Sequence, residues 1–224
     1  MNLENLKAEA AKRAVEFVKS GMRVGLGTGS TAKYAILELA RKLKSGELSD
    51  ITSVATSVQS ENLARENGII VEDFGTQTLD VAIDGADEIA PNLDLIKGAG
   101  GALLREKLVE LQAKEFIVIA DHTKIVSRLG EKVSLPIEIV RFGFESTIQR
   151  LENYGEPVLR REMSEIYITD NGNYIADLRF SNDDAAQFAL ELKQLSGVVE
   201  TGLFIGMANR AIVAFESEIK ELSR

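Results

Sequence analysis

Acidic residues stand at the end of an apolar run, residues 81–89 with the sequence VAIDGADEI. Asp84 and Asp87 are three residues apart around Gly85, so both carboxylates can face one cleft, whereas Glu88 is expected to face solvent or a structural partner. Such a cluster can bind Mg²⁺ or Ca²⁺ through its oxygens, transfer protons, or form an exposed turn. The stretch lacks the length and spacing of an EF-hand calcium loop, which weakens the metal alternative.

A glycine-rich segment, GLGTGSTA at residues 25–32, lies between an apolar strand pattern and a helix pattern. Glycines permit a tight turn and close approach of a ligand, and the helix start offers free N–H groups and a positive dipole end, so the segment suits a phosphate. It also matches the dinucleotide pattern G-x-G-x-x-A, but the second strand ends at residues 55–57 without an acid for the ribose, which favours a phosphomonoester over NAD. The P-loop pattern is absent, which counts against ATP. The remaining alternative is an ordinary turn between a strand and a capped helix.

A lysine and a second glycine-rich turn occur in the segment IKGAGGALLREK, residues 96–107. Lys97 follows a short strand, and the glycines after it precede another helix start. A lysine beside aspartates keeps its positive charge, because the carboxylates favour the ionised ammonium, and such a cation removes the need for a metal in an acidic cleft. Glu106 lies about one turn into the helix, and taken alone it is typical of an exposed helix face.

A fourth segment, ADHTKI at residues 120–125, follows the most apolar strand pattern. Lys124 is placed to meet a phosphate, whereas His122 is interpreted as a structural loop residue. Lys7 on the first helix could also reach an anion, although a solvated face is favoured. All four segments follow strands of one predicted parallel sheet, and the carboxyl ends of such strands meet at one edge, so we expect the four to converge there.

Strand and helix patterns alternate along the first half of the chain, which predicts an α/β fold with a doubly wound, mostly parallel sheet. The later part has the order β-α-β-β-α-β, with a hairpin predicted around residues 170–172, and is close to the ferredoxin-like split βαβ pattern. We therefore predict a Rossmann-like domain of residues 1–129 plus 206–224 and a small α+β domain of residues 130–205.

The composition restricts the class of protein. The 224 residues carry a net charge of −9 with no basic cluster, which argues against a nucleic-acid partner. There is no cysteine, which excludes disulfides and thiol catalysis, and the single histidine weakens any His-rich zinc site. No run is long enough to span a membrane, and the N-terminus does not have the pattern of a signal peptide, so a soluble cytoplasmic protein is expected.

Together and in this order, GLGTGSTA, DGADEI, KGAGGALLREK and ADHTK strongly resemble ribose-5-phosphate isomerase of the A type, over nearly the whole chain. The resemblance implies a Rossmann-like domain with a smaller α+β domain, and interconversion of ribose 5-phosphate and ribulose 5-phosphate in the pentose phosphate pathway. It implies no metal and no cofactor, and we expect a homodimer or a higher homo-oligomer. One departure is Ala99, where the family more often has glycine. The methyl group of alanine restricts φ, so this departure concerns the detail of the turn and not the chemistry.

The resemblance also assigns roles to residues. It implies that Glu106 is the proton-transferring base, that Lys97 stabilises the oxyanion, and that Asp84 assists ring opening. It further implies that Asp87 orients Lys97 and binds sugar hydroxyls. The implied substrate-binding residues are Thr28, Gly29, Ser30, Thr31, Asp84, Gly85, Ala86, Asp87, Lys97, Gly98, Ala99, Gly100 and Lys124.

Three alternatives stay open at this point. Another sugar-phosphate enzyme on a similar scaffold, such as an amino-sugar-phosphate deaminase or a phosphogluconolactonase, would rely on a histidine, and His122 is the only one. A non-catalytic sugar-phosphate sensor would carry a helix-turn-helix domain and would not need Glu106. A dehydrogenase is disfavoured by the missing acid of the second strand.

Overall fold

The computed structural model describes residues 2–224, which divide into two compact units. The first unit contains the chain up to residue 86, residues 105–124 and residues 207–224, and the second contains residues 87–104 and 125–206. The predicted boundaries differ from this division, because they place residues 87–104 and 125–129 with the parallel sheet.

The described chain forms α-helices, β-strands and one short 3-10 helix at His122–Lys124. The helices are α1 Leu3–Val15, α2 Ala32–Ser45, α3 Val58–Glu66, α4 Leu103–Leu111, α5 Phe144–Leu151 and α6 Ala185–Lys193. The strands are β1 Arg23–Leu26, β2 Thr52–Ala55, β3 Ile70–Val71, β4 Leu79–Gly85, β5 Glu88–Ile89, β6 Leu95–Ile96, β7 Ala113–Asp121, β8 Leu135–Ile139, β9 Glu156–Leu159, β10 Arg161–Glu162, β11 Glu165–Ile166, β12 Tyr174–Arg179, β13 Val198–Thr201, β14 Leu203–Phe204, β15 Arg210–Ala214 and β16 Ile219–Ser223.

A seven-stranded sheet forms the centre of the first unit, in the order β16-β15-β7-β4-β1-β2-β3. All neighbouring strands are parallel except β16, which pairs antiparallel with β15. From β3 to β15 this is the strand order of a Rossmann fold, so the predicted doubly wound sheet is confirmed. The order reverses between β1 and β4, and ligands of such sheets bind at the carboxyl ends of the strands beside that reversal.

Helices α1, α2 and α3 contribute to the main apolar core of this unit. In α1 the buried residues Leu6, Ala10 and Ala14 recur every four positions, which puts them on one face. Asn2 caps the N-terminus of this helix, since its side chain accepts a hydrogen bond from the Asn5 N–H at 2.9 Å. In the described residues no helix has both the length and the apolar character that crossing a membrane requires.

The second unit contains a four-stranded antiparallel sheet in the order β13-β8-β12-β9. With α5 between β8 and β9 and α6 between β12 and β13, this is the predicted β-α-β-β-α-β arrangement of a ferredoxin-like unit. The two helices contribute Leu151, Phe188 and Leu192 to an apolar core shared with alternate residues of β8 and β12.

The hairpin predicted around residues 170–172 is wrong in its pairing. Strand β11 pairs with β10, whereas β12 pairs with β8 and β9. Residues 169–173 form a local turn, in which the Thr169 N–H donates to the Asn173 carbonyl at 2.9 Å. The buried Glu138 accepts hydrogen bonds from the side chains of Thr169, Asn171 and Asn173, which holds this turn against β8 instead of extending it into a strand.

A small antiparallel sheet explains why residues 87–104 belong to the second unit. Strand β6 lies between β5 and β14, in the order β14-β6-β5, and β14 directly follows β13 in the chain. Residue Ile89 also bridges to Ile125, and the Val126 N–H donates to the Ile89 carbonyl at 3.1 Å.

Glu88 is fully buried in the second unit and has a structural partner, one of the two expected environments. Its carboxylate accepts hydrogen bonds from three backbone N–H groups, those of Gly130 at 2.6 Å, Lys132 at 2.5 Å and Val133 at 2.9 Å. These bonds tie the end of the acidic stretch to the loop before β8.

We predict that Glu88→Ala lowers the free energy of unfolding by about 3 kcal/mol or more, because three backbone N–H groups lose the buried carboxylate that accepts their hydrogen bonds, at roughly 1–3 kcal/mol each. Urea denaturation followed by circular dichroism measures this change. The control is Glu131→Ala, which removes an exposed acid whose partner is Ser127 and which should have a much smaller effect. Equal losses in the two variants would contradict the structural role of Glu88.

Candidate active site

Strands β1 and β4 lie side by side where the strand order reverses, and their carboxyl ends approach each other closely. Leu26 at the end of β1 pairs with Ile83 of β4, and the Gly27 N–H donates to the Ile83 carbonyl at 3.0 Å. A Cβ atom on Gly27 would lie 2.0 Å from Oδ1 of Asp84. The first glycine of the loop is therefore required by the close approach of the Asp84 carboxylate.

Asp84 is 1% exposed, and its orientation is fixed by the backbone. Its Oδ1 accepts hydrogen bonds from the N–H groups of Thr28 at 3.0 Å and Gly85 at 2.6 Å. Gly85 lies close to the loop as well, since a Cβ atom on it would be 3.8 Å from Cβ of Thr31. The structure thus places Asp84, Gly85 and the loop of residues 28–31 together, as the convergence of the first two motifs required.

A cluster of hydroxyl groups holds the Thr28 side chain. Oγ1 of Thr28 lies 2.6 Å from Oγ1 of Thr56 and donates to Oγ of Ser57 at 2.8 Å. Ser60 donates to the Gly27 carbonyl at 2.7 Å. Sequence reasoning missed these partners, although the polar pair Thr56-Ser57 at the end of an apolar strand was the available signal.

The end of this loop that precedes α2 is accessible to an anion. Ser30 is exposed, and Gly29 has a φ of +105°, which favours glycine. Thr31 precedes α2 but makes no side-chain capping bond to it. Free N–H groups at a helix start, with the positive end of the helix dipole, suit a phosphate.

Lys7 reaches this loop, which favours the alternative that it meets an anion over the alternative of a solvated face. Its Nζ donates to Oγ of Ser30 at 3.0 Å and to Oε1 of Glu4 at 2.7 Å. Hydrogen bonds from Lys7 and then Tyr34 lower the pKa of the Glu4 carboxyl below its ordinary value. The ionised Glu4 therefore holds the ammonium of Lys7 beside Ser30.

Glu106 is 3% exposed, so the alternative of an exposed helix face is wrong. A Cβ atom on Gly25 would lie 2.8 Å from Cγ1 of Val109 and 2.9 Å from Cβ of Ala82, so α4 packs on the sheet above these residues. Asp84 is two positions after Ala82 in β4, so its side chain points to the same face of the sheet. Glu106 precedes Val109 by about one helical turn, toward the carboxyl ends of the strands. The two acids therefore share one face and one edge of the first unit.

Lys124 lies at the same edge, in the 3-10 helix that directly follows β7. Asp121 fixes the start of this helix by accepting hydrogen bonds from the backbone N–H, at 2.9 Å, and the side chain of Thr123. The ring of His122 stacks on Phe215 with 5.8 Å between the ring centroids. This packing agrees with the interpretation of His122 as a structural residue.

The second unit contains the other predicted residues. The Asp87 N–H donates to the Ile96 carbonyl at 2.8 Å, and Oδ2 of Asp87 accepts a hydrogen bond from the Ala99 N–H at 2.9 Å. Asp87 therefore binds the turn of residues 97–100. Lys97 is 2% exposed, and its Nζ lies 5.4 Å from the centroid of the Phe204 ring.

Ala99 does not strain this turn. Gly98 has a φ of +105°, whereas positive φ among the non-glycine residues described is confined to Asp50, Leu93 and Met163. The methyl group of Ala99 is exposed. The replacement of glycine at this position therefore leaves the backbone of the turn intact.

Comparison with known proteins identifies the family. The family described as Ribose 5-phosphate isomerase A (phosphoriboisomerase A) matches residues 52–218. The chain belongs to the ribose 5-phosphate isomerase A family. It is 60% identical to the ribose-5-phosphate isomerase A of Deinococcus radiodurans, with 100% of both chains covered.

Solved structures of this family have the same fold as the chain. A D-ribose-5-phosphate isomerase in complex with phospho-erythronic acid has a TM-score of 0.97 and 42% identity, with 100% of both chains covered. The ribose 5-phosphate isomerase of Plasmodium falciparum has a TM-score of 0.96 and 39% identity, with 99% of both chains covered. The predicted family and fold class are thereby confirmed.

We predict that Gly27→Ala lowers the free energy of unfolding by about 3 kcal/mol or more, the upper end of ordinary overpacking costs, because the added methyl group overlaps the fixed carboxylate of Asp84. Gly75→Ala is the matched control, since a Cβ atom there meets nothing within 4 Å. Urea denaturation of both variants measures the difference. A Gly27→Ala variant as stable as Gly75→Ala would contradict the close approach of β1 and Asp84.

Proposed function

We propose that the chain interconverts D-ribose 5-phosphate and D-ribulose 5-phosphate, as an aldose–ketose isomerase of the non-oxidative branch of the pentose phosphate pathway. The observation that carries this proposal is the placement of the buried Glu106 and Asp84 on one face and at one edge of the parallel sheet. Membership of the family supports it, and so does the solved relative that is bound to phospho-erythronic acid.

Glu106 transfers the proton in this proposal. Its carboxylate removes the proton at C2 of the open-chain aldose, which leaves an enediolate across C1 and C2. The same group then returns the proton to C1, while the proton of the C2 hydroxyl is transferred to the oxygen on C1, which gives the ketose. The buried position supports this role, because water that would exchange or misplace the proton is excluded.

Asp84 assists ring opening and exchanges protons with the sugar hydroxyls. Opening of the furanose requires a proton to leave the anomeric hydroxyl and another to reach the ring oxygen. The two backbone donors on Oδ1 of Asp84 support this role, since they hold the carboxylate in one orientation before substrate binds.

Lys97 stabilises the negative charge of the enediolate. A buried ammonium interacts with an anion more strongly than an exposed one, because the surroundings screen the charge less. Asp87 binds sugar hydroxyls and orients the turn that carries Lys97, which is supported by its bond to the Ala99 N–H. The remaining substrate contacts in this turn are assigned to Gly98, Ala99 and Gly100.

The loop of residues 28–31 binds the substrate together with Gly85 and Ala86, and its exposed end takes the phosphate. Lys124 contributes a positive charge, and we add Lys7 to this group because of its contact with Ser30. Two ammonium groups and a helix start offset the net charge of −9 locally, since charges farther away than about 8 Å are screened at physiological salt.

The proposal includes no metal and no cofactor. The lysine already supplies the charge that a metal would provide to the enediolate. Within residues 2–224, no group of three or more histidines, aspartates and glutamates converges in a way that could hold a metal ion.

We place the enzyme in the cytoplasm as a homodimer or a higher homo-oligomer. Self-association is supported by large apolar side chains exposed on the second unit, including Phe142 at 95% and Met163 at 97%. Val158 is also exposed, and it lies on β9, which is an edge strand of the four-stranded sheet.

We expect Glu106→Gln to lower kcat by roughly 10²–10⁴-fold with little change in KM, because the amide keeps the shape of the side chain but cannot accept the proton. The measurement is the conversion of ribose 5-phosphate, with affinity for phospho-erythronic acid as the test of an intact site. Glu152→Gln, which changes an exposed acid, is the control. Near-normal turnover of Glu106→Gln would remove Glu106 from the role of base.

We expect the turnover of ribose 5-phosphate to be unchanged after dialysis against EDTA, because no step of the proposed mechanism uses a metal. A metal-dependent enzyme treated in parallel shows that the chelator is effective. Loss of activity that added Mg²⁺ restores would contradict the metal-free proposal.

A further inference from the structure

An arginine far away in the sequence lies behind the turn of residues 97–100. Nη1 of Arg160 donates hydrogen bonds to the carbonyl oxygens of Gly98 and Ala99, both at 3.0 Å. Arg160 follows β9 in the second unit and was not singled out by any motif. Two successive peptide carbonyls of the turn are thus directed at one cation.

This arrangement determines the direction of two N–H groups. In a planar trans peptide the carbonyl and the following N–H point to opposite sides, so the N–H groups of Ala99 and Gly100 are directed away from Arg160. The bond from the Ala99 N–H to Oδ2 of Asp87, at 2.9 Å, has this direction. The N–H of Gly100 points to the same side of the turn as Asp87, the side to which we assign the sugar.

Arg160 is itself held in place. Its guanidinium binds both carboxylate oxygens of Asp177, with the Nε–Oδ2 distance at 2.8 Å. The planar fork of the guanidinium binds the carboxylate bidentately and still donates to two carbonyls, whereas the ammonium of a lysine lacks this fixed bidentate geometry. Its Cζ also lies 5.8 Å from the centroid of the Tyr167 ring.

Tyr167 contacts the end of the turn at Gly100 and Gly101. Its hydroxyl donates to the Gly100 carbonyl at 3.4 Å, and burial raises the pKa of this phenol above its ordinary value, so the donor proton is retained. A Cβ atom on Gly101 would lie 2.1 Å from the Tyr167 oxygen, so the glycine allows the ring to approach the backbone.

We propose that Arg160 is a positioning residue, which holds the Ala99 and Gly100 amides so that the Gly100 N–H donates to the developing oxyanion of the substrate and Asp87 stays aligned. This inference rests on the proposed isomerase function. Donors fixed before the reaction stabilise charge in the transition state, and displacement of a group by about 1 Å can cost up to roughly 10²-fold in rate.

The test compares Arg160→Met with Arg161→Met, which removes the same charge from the adjacent, exposed residue. We expect Arg160→Met to lower kcat/KM for ribose 5-phosphate by about 10–100-fold and Arg161→Met to leave it unchanged. Affinity for phospho-erythronic acid, whose carboxylate resembles the enediolate, should fall with Arg160→Met. Affinity for inorganic phosphate, which reports on the other end of the substrate, should not. Arg160→Lys carries the same test if Arg160→Met does not fold, and should lose part of the activity.

The outcomes separate this inference from the proposed function. Unchanged kcat/KM in both Arg160 variants, with an active wild type, would overturn the positioning role alone. An equal loss of affinity for phospho-erythronic acid and inorganic phosphate would also overturn it, because that result indicates a general loss of structure. A wild type that does not convert ribose 5-phosphate would overturn the proposed function and this inference with it.

Discussion

The close approach of Gly27 to the Asp84 carboxylate is the constraint on which the first unit depends. It occurs where the strand order reverses between β1 and β4. The segments that follow these two strands leave the sheet in different directions, which opens a cleft at the carboxyl ends of the strands. Because Asp84 fills the space of a missing side chain, its carboxylate accepts a hydrogen bond directly from the Thr28 N–H of the loop. The same contact therefore builds the loop and orients an acid.

A similar use of small residues recurs within each unit. Gly25 lets α4 lie close to the sheet, which buries Glu106, and Gly101 lets Tyr167 approach the turn that follows Lys97. In each case the glycine provides room for a functional group or its support, at the cost of a more flexible unfolded chain.

Local sequence patterns predicted the features that depend on nearby residues. The alternation of strands and helices predicted the Rossmann-like sheet, and the glycine-rich segments after strands identified the loops at its edge. Glu106 could not be distinguished from an exposed helix residue by its own segment, because its burial depends on Gly25, which is distant in sequence. The resemblance to a known family supplied what the pattern alone did not.

Contacts between distant residues were missed for the same reason. Lys7 reaches Ser30 only because α1 packs beside the loop, and Arg160 meets Gly98 across more than sixty residues of chain. The hairpin prediction failed because Glu138 on another strand captures the polar side chains of the turn. The unit boundary near residue 87 depends on the pairing of the short strand β6 with β14, and the boundary near residue 125 depends on a single bridge. The periodicity of the sequence does not reveal either contact.

The position of β15 in the sheet has a consequence for synthesis of the chain on the ribosome. Strand β7 is mostly apolar and pairs with β15, although the whole of residues 125–206, which belong to the second unit, is made between them. One edge of β7 therefore stays unpaired until residues 210–214 have emerged, and an unpaired apolar edge is a site for wrong association. The first unit begins earlier but is completed last, so the last strands to be made decide when this edge is protected.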